Sequence, residues 1–188
     1  VNILNGCVEN LTSECNNYEE KIKNSGGIDL FLCGIGADGH LAFNEPGSSL
    51  TSRTRVKTLC YDTIDDNSRF FKSQQEVPNK VLTVGLQTIM DSKEIVVMVT
   101  GRKKAIALQK CIEESINHMW TASILQTHQN VIFVCDEAAT MELKTKTVKY
   151  FKELQKTTNL IGQPIDNHYF TNIKHTDNIL IFSPHPDD

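Results

Sequence analysis

Three short, largely apolar runs punctuate this chain. Residues 28–33 (IDLFLC) run into Gly34-Ile35-Gly36, residues 94–100 (EIVVMVT) into Gly101, and residues 130–135 (NVIFVC) into Asp136-Glu137. Runs that are continuous rather than alternating are the pattern of strands buried on both faces, as in a parallel sheet. The second and third runs are followed by apolar positions at helical spacing, over 102–114 and 138–154. A repeated strand, short loop and helix predicts an α/β fold: a doubly wound, Rossmann-like parallel sheet with flanking helices. Such sheets bind ligands beyond the carboxyl ends of their strands, so chemical residues are expected just after each run. Upstream, residues 12–23 place Tyr18, Ile22 and charges at helical spacing, with Thr12 or Ser13 as N-cap and Asn24-Ser25-Gly26-Gly27 as the break.

The pattern changes after 154. Residues 156–177 are polar, contain Gly162 and Pro164, and read as a linker. Residues 178–183 (NILIFS) read as a new strand, ended by Pro184-His185-Pro186-Asp187-Asp188. The chain opens on Val1 inside a polar stretch and stops directly after this motif, which is expected of a piece of a longer reading frame. The predicted organisation is a partial domain over 1–155 that lacks its N-terminal strands, a linker over 156–177, and the start of a truncated second domain over 178–188.

Composition narrows the function classes. Of 188 residues, 39% are hydrophobic and 22% charged, which is ordinary for a globular protein. A net charge of -4 speaks against nucleic acid as a partner. There is no apolar run of the ~20 residues that span a bilayer, and no signal-peptide pattern. The six cysteines form no CxxC pair. Cys33 and Cys135 lie in apolar runs and act as small hydrophobes, as expected of reduced thiols in a cytoplasmic protein.

The densest chemistry follows the first run. Gly34-Ile35-Gly36-Ala37-Asp38-Gly39-His40 continues to Glu45-Pro46, so an Asp, a His and a Glu crowd into eight residues beside three glycines. A carboxylate next to an imidazole fixes its tautomer and raises its basicity, which suits proton transfer near neutral pH. Each residue alone is more often a polar loop residue than a catalyst. Their clustering at a strand's carboxyl end makes Asp38, His40 and Glu45 candidate catalytic groups.

The segment GIGADGHLAFNEPGSSLTSRTRVKT at 34–58 resembles the central signature of the glucosamine-6-phosphate deaminase family. The likeness continues through NSRFF (67–71), LTVG (82–85), NHMW (117–120), VCDE (134–137) and MELKTKTVKYF (141–151), and covers roughly residues 2–155. The resemblance implies conversion of glucosamine 6-phosphate and water to fructose 6-phosphate and ammonia, in amino-sugar catabolism, with no cofactor in this domain. It implies that His40 opens the pyranose ring as acid/base, with Asp38 and Glu45 in support. It implies that Arg69 and Lys104 approach the substrate phosphate. It also implies a homo-oligomer, a hexamer in bacterial members, whose allosteric effector site falls on Ser48, Ser49, Arg55, Lys57 and Tyr150. Arg55 and Lys57, two apart in an extended segment, point to one side. The family's second base and its Gly/Thr-rich phosphate loop find no match here, so the chain alone is expected to be inactive. Trp120 is expected to pack in the core or an interface, and His118 to be packed and hydrogen-bonded.

The closing His185-Pro186-Asp187-Asp188 resembles the metal loop of zinc-dependent N-acetylglucosaminyl deacetylases, with His185 and Asp188 as zinc ligands and Asp187 as base. Two other functions fit the fold: a non-catalytic sugar-phosphate-binding regulator, and a 6-phosphogluconolactonase-like hydrolase. The intact Asp38, His40 and Glu45 speak against the first, because a binder needs no proton shuttle. The NEP and SRTR segments fit the deaminase better than the second.

Overall fold

In a computed structural model the described residues are 1–161 and 179–182, with side chains described through 157. The elements in chain order are α1 (Leu11–Asn24), β1 (Leu30–Gly34), β2 (Arg55–Thr58), α2 (Tyr61–Ser68), β3 (Lys80–Thr83), α3 (Leu86–Met90), β4 (Glu94–Val99), α4 (Ala105–Glu113), β5 (Val131–Asp136), α5 (Thr145–Ile161) and β6 (Ile179–Phe182). Short 3₁₀ turns lie between some of them, including Arg102–Lys104 and Thr121–Thr127.

The three apolar runs form β1, β4 and β5, and these strands pair in parallel in the order β1-β4-β5. This is the expected α/β sheet flanked by helices. β6 adds antiparallel to the far edge of β5, so the sheet is mixed. Of residues 178–183, expected to open a second domain, Ile179–Phe182 pair with this sheet. The metal-loop residues His185 and Asp188 lie outside the described residues.

One face of the sheet carries the core. Ile95, Val97 and Val99 of β4 and Val131, Phe133 and Cys135 of β5 pack with Leu86, Ile89, Leu108 and Leu125, while Trp120 packs against the cluster. On the opposite face Val96 and Val134 are buried, but Leu32 and Met98 are exposed. All six cysteines are free. Burial pushes the thiols of Cys33, Cys111 and Cys135 up to about 12, so they stay protonated and inert near neutral pH.

Helix boundaries differ from the sequence reading in instructive ways. α1 is capped not by Thr12 or Ser13 but by Asn10, whose side chain accepts from the Ser13 amide at 2.9 Å. The helix predicted over 138–154 begins only at Thr145. Asp136 draws the Ala139 amide into a turn, and the Glu113 carboxylate accepts from the Lys144 amide at the true helix start. His118, expected to be packed, is exposed, and its carbonyl accepts from the Gly47 amide.

Between β1 and β4 lies a part the apolar runs did not announce. β2 and β3 form a separate antiparallel pair that matches Arg55 with Thr83 and Lys57 with Val81. α1 is clipped to the residue before β2 and to α3 through Glu19, which accepts from the Thr54 amide at 2.9 Å, from the Thr54 hydroxyl, and from the Thr88 hydroxyl at 2.6 Å.

Candidate active site

The loop that leaves β1 folds back on itself at once. The Gly36 amide donates to the His40 carbonyl at 2.9 Å and the Gly39 amide to the Gly36 carbonyl at 3.0 Å. This turn brings Asp38 and His40 together, with Nδ1 of His40 2.6 Å from Oδ1 of Asp38. The same oxygen accepts from the His40 backbone amide at 3.3 Å. Nδ1 is buried and makes no hydrogen bond, so its contact with the carboxylate is one of charge and proximity. A Cβ on Gly36 would overlap both the imidazole and the Asp38 carboxylate, so only glycine leaves room for the pair. Burial acts to raise the Asp38 carboxyl, but hydrogen bonding to His40 and the charge of the imidazole outweigh it and hold the carboxyl below its ordinary value.

The next residues are stapled in place. Ala42 sits at φ 50, a strained left-handed conformation for a residue with a side chain. Asn44, fully buried, holds that strain: its Nδ2 donates to the carbonyls of Leu41 and Val84, each at 2.9 Å. Its Oδ1 accepts from the Arg55 guanidinium at 2.8 Å. The Thr121 hydroxyl donates to the Asn44 carbonyl at 2.8 Å. The sequence reading did not single out Asn44 or Thr121, because their roles depend on partners 40 and 77 residues away.

Glu45 does not share the imidazole as expected. Its two oxygens accept from the Cys60 amide at 3.0 and 3.2 Å, at the start of α2, where unsatisfied amides and the positive end of the helix attract a carboxylate. Burial acts to raise Glu45. The Cys60 amide, the Thr63 and Cys60 side chains and the charge of Lys57 together prevail and lower it. Both candidate carboxylates are therefore ionised near neutral pH.

The remaining candidates fall into separate places. Arg55 bonds to Asn44, and the positive charge of Lys57, two residues along β2, helps lower the Glu45 carboxyl. Ser48 is buried with its hydroxyl unpartnered, and the Ser49 hydroxyl meets that of Thr51. Tyr150 stands exposed on α5, edge-on to Phe151, with no hydrogen bond to the other effector candidates. Arg69 ends α2 with its guanidinium 4.8 Å above the Phe70 ring. Lys104 closes the 3₁₀ turn after β4. A shallow depression of about 770 Å³, lined by Gln87, Ser92, His128 and Asn130 among others, lies at the amino ends of β4 and β5, away from all these loops. Among the described residues no three His, Cys, Asp or Glu side chains gather to hold a metal, and no helix is long and apolar enough to cross a membrane.

The family model for glucosamine-6-phosphate isomerases/6-phosphogluconolactonase matches residues 2–134. The chain belongs to this family. Within it, a glucosamine-6-phosphate deaminase from Dictyostelium discoideum is 62% identical over 159 residues, which are 85% of this chain and 60% of that protein. The solved structure of a monomeric glucosamine-6-phosphate deaminase is 42% identical with a TM-score of 0.73, over 75% of this chain and 58% of that one. A 6-phosphogluconolactonase structure from Trypanosoma cruzi shares the fold at 21% identity and a TM-score of 0.54, over 70% of this chain and 52% of its own. The chain spans about three fifths of the length of the curated family members it matches.

Proposed function

We propose that this chain carries the proton-shuttle side of a glucosamine-6-phosphate deaminase site. The observation that supports it most directly is the 2.6 Å contact between His40 and Asp38 on a loop at the carboxyl end of a parallel strand. Opening the pyranose ring requires a proton to leave the O1 hydroxyl and one to reach O5. An imidazole oriented by an ionised carboxylate can take the first and supply the second. In this reading the Asp38 carboxylate lies against Nδ1 and Nε2 is the nitrogen that serves the sugar. Glu45, bonded to the start of α2, supports the site through the 44–45 loop rather than by touching the imidazole.

The later step moves a proton from C2 to C1 and needs a second base, and the sugar phosphate needs cations and backbone amides. Lys104 and Arg69 are the cations assigned to the phosphate here. No segment of these 188 residues resembles the family's second base or its Gly/Thr-rich loop. A cytoplasmic sugar-phosphate enzyme is the setting this reading implies. The effector reading of Ser48, Ser49, Arg55, Lys57 and Tyr150 draws support from Arg55 and Lys57 lying two apart on the strand β2. Because one solved deaminase is described as monomeric, a hexamer is not required of the family. The higher identity to deaminases favours deamination over lactone hydrolysis.

The reading is tested by grafting residues 2–134 in place of the matching segment of the Dictyostelium discoideum deaminase and assaying ammonia release from glucosamine 6-phosphate. The chimera is expected to be active, and His40→Ala to slow it at least about 100-fold, the scale of a lost acid/base group. A folded chimera that releases no ammonia, or that hydrolyses 6-phosphogluconolactone instead, overturns the reading. The 188-residue chain by itself is expected to release ammonia far more slowly than the chimera.

A further inference from the structure

We propose that Asp136 is a positioning residue that holds the turn carrying Lys104 in its anion-binding shape. The inference rests on the reading above, in which Lys104 meets the substrate phosphate. β4 ends at Val99, and the chain leaves the sheet through Gly101, whose φ of 85 and ψ of 150 belong to a region that favours glycine. The Gly101 amide emerges past the end of the strand ladder. Both carboxylate oxygens of Asp136, the last residue of β5, accept from it at 3.0 and 2.9 Å. One of them also accepts from the Ala139 amide at 2.7 Å. One carboxylate thus ties the loop after β4 to the loop after β5. The Gly101 carbonyl in turn accepts from the Lys104 amide at 3.0 Å, closing the turn that carries Arg102, Lys103 and Lys104.

The placement separates two roles that a carboxylate could have here. Asp136 spends its oxygens on main-chain amides, and among the described residues it forms no ion pair with the three cations beyond Gly101. A bare negative charge near an anion site weakens phosphate binding, so its removal should strengthen binding. A clamp that shapes the site does the reverse: its removal lets Gly101 and Lys104 wander, and binding weakens. The two roles predict opposite signs.

The experiment uses the chimera described above, extended to residues 2–155 so that it includes Asp136, with fructose 6-phosphate in ammonia-free buffer as a probe that is not turned over. Affinity is read by calorimetry at low salt, and amide exchange is followed at Gly101. Lys104→Ala is expected to weaken binding about tenfold, as is Asp136→Ala, on the scale of a charge-assisted hydrogen bond. Asp136→Asn, which keeps one acceptor oxygen, should fall between, at about threefold. Gly101 exchange should quicken in both Asp136 variants while protection in β4 and β5 stays as in the unsubstituted chimera, a pattern that general destabilisation does not produce. Unchanged or tighter binding in Asp136→Ala or Asp136→Asn, with Lys104→Ala still weakened, overturns the clamp alone. Binding that is absent in the unsubstituted chimera, or indifferent to Lys104→Ala, overturns the phosphate reading of Lys104 and the clamp with it.

Discussion

At the scale of single residues, the most informative feature is the pairing of one imidazole with one carboxylate. Asp38 is half-buried, and desolvation alone would favour its neutral form. Its carboxyl is nonetheless held low, because the imidazole and main-chain amides stabilise the charged form. Removing the ring removes the main opposing influence and leaves the burial. In His40→Ala the Asp38 carboxyl is therefore expected to titrate at higher pH than in the wild type, measured by carbon NMR of the side-chain carboxyl. An unchanged midpoint would mean that the ring does not govern this carboxylate. The sequence suggested this pair from composition and proximity alone. It suggested Glu45 on the same grounds and was misled about its partner: two residues close in sequence need not face each other, and the amides at the start of α2 offered the carboxylate a better site.

At the scale of elements, the site loop depends on crosslinks made by side chains to distant backbone. Asn44 is the clearest of these, since it joins the Leu41 carbonyl, the Val84 carbonyl beyond β3 and the Arg55 side chain of β2. Asn44→Ala removes three side-chain hydrogen bonds, while the Leu41 carbonyl keeps the backbone amide of residue 44, the Val84 carbonyl keeps the Thr83 hydroxyl and the Arg55 guanidinium keeps the Arg53 carbonyl. Each lost hydrogen bond contributes about 0.5–1.5 kcal/mol, so a total loss of roughly 2–4 kcal/mol is expected in urea unfolding. A loss below half a kcal/mol would show that water replaces the amide without penalty. Helix starts follow the same rule. α5 begins where Glu113 meets the Lys144 amide, although the apolar spacing that predicted the helix extends further back. Local pattern sets which stretch can be helical, and a partner from another element decides where the helix begins.

At the scale of the whole molecule, several carboxylates that clip elements together share one sign. Burial acts to raise Glu19, and hydrogen bonds from Thr54 and Thr88 with the charge of Arg53 bring it below its ordinary value. Glu113 is lowered in the same way, with burial outweighed by bonds from Thr147, the Lys144 amide and Gln109. Groups whose carboxyl is lower when folded contribute stability above the unfolded carboxylate value, and that contribution is lost as pH falls through the folded value. Stability to urea is expected to decline as pH drops below about 4, and Glu19→Gln should flatten that decline. A slope identical to the wild type would show that Glu19 takes no part in the acid limb.

The order of apolar runs, the glycine turn after the first and the acid–imidazole cluster were all present in the sequence, and with them the α/β class and the end of the sheet where the candidate site lies. Apolar strands gain most when they are buried, and a parallel sheet that buries one face of them, though it leaves Leu32 and Met98 exposed, brings their carboxyl ends together. The β2–β3 pair, the antiparallel addition of β6, the turn of Glu45 away from His40, and the bonds of Asn44 and Asp136 were not legible there. Each is a choice among polar partners separated by many residues, and hydrogen bonds carry no periodicity along the chain that could announce them. Hydrophobic patterning chose the architecture because it acts on every residue of an element at once. Polar contacts chose the site because each depends on two particular groups that only the folded chain brings within reach.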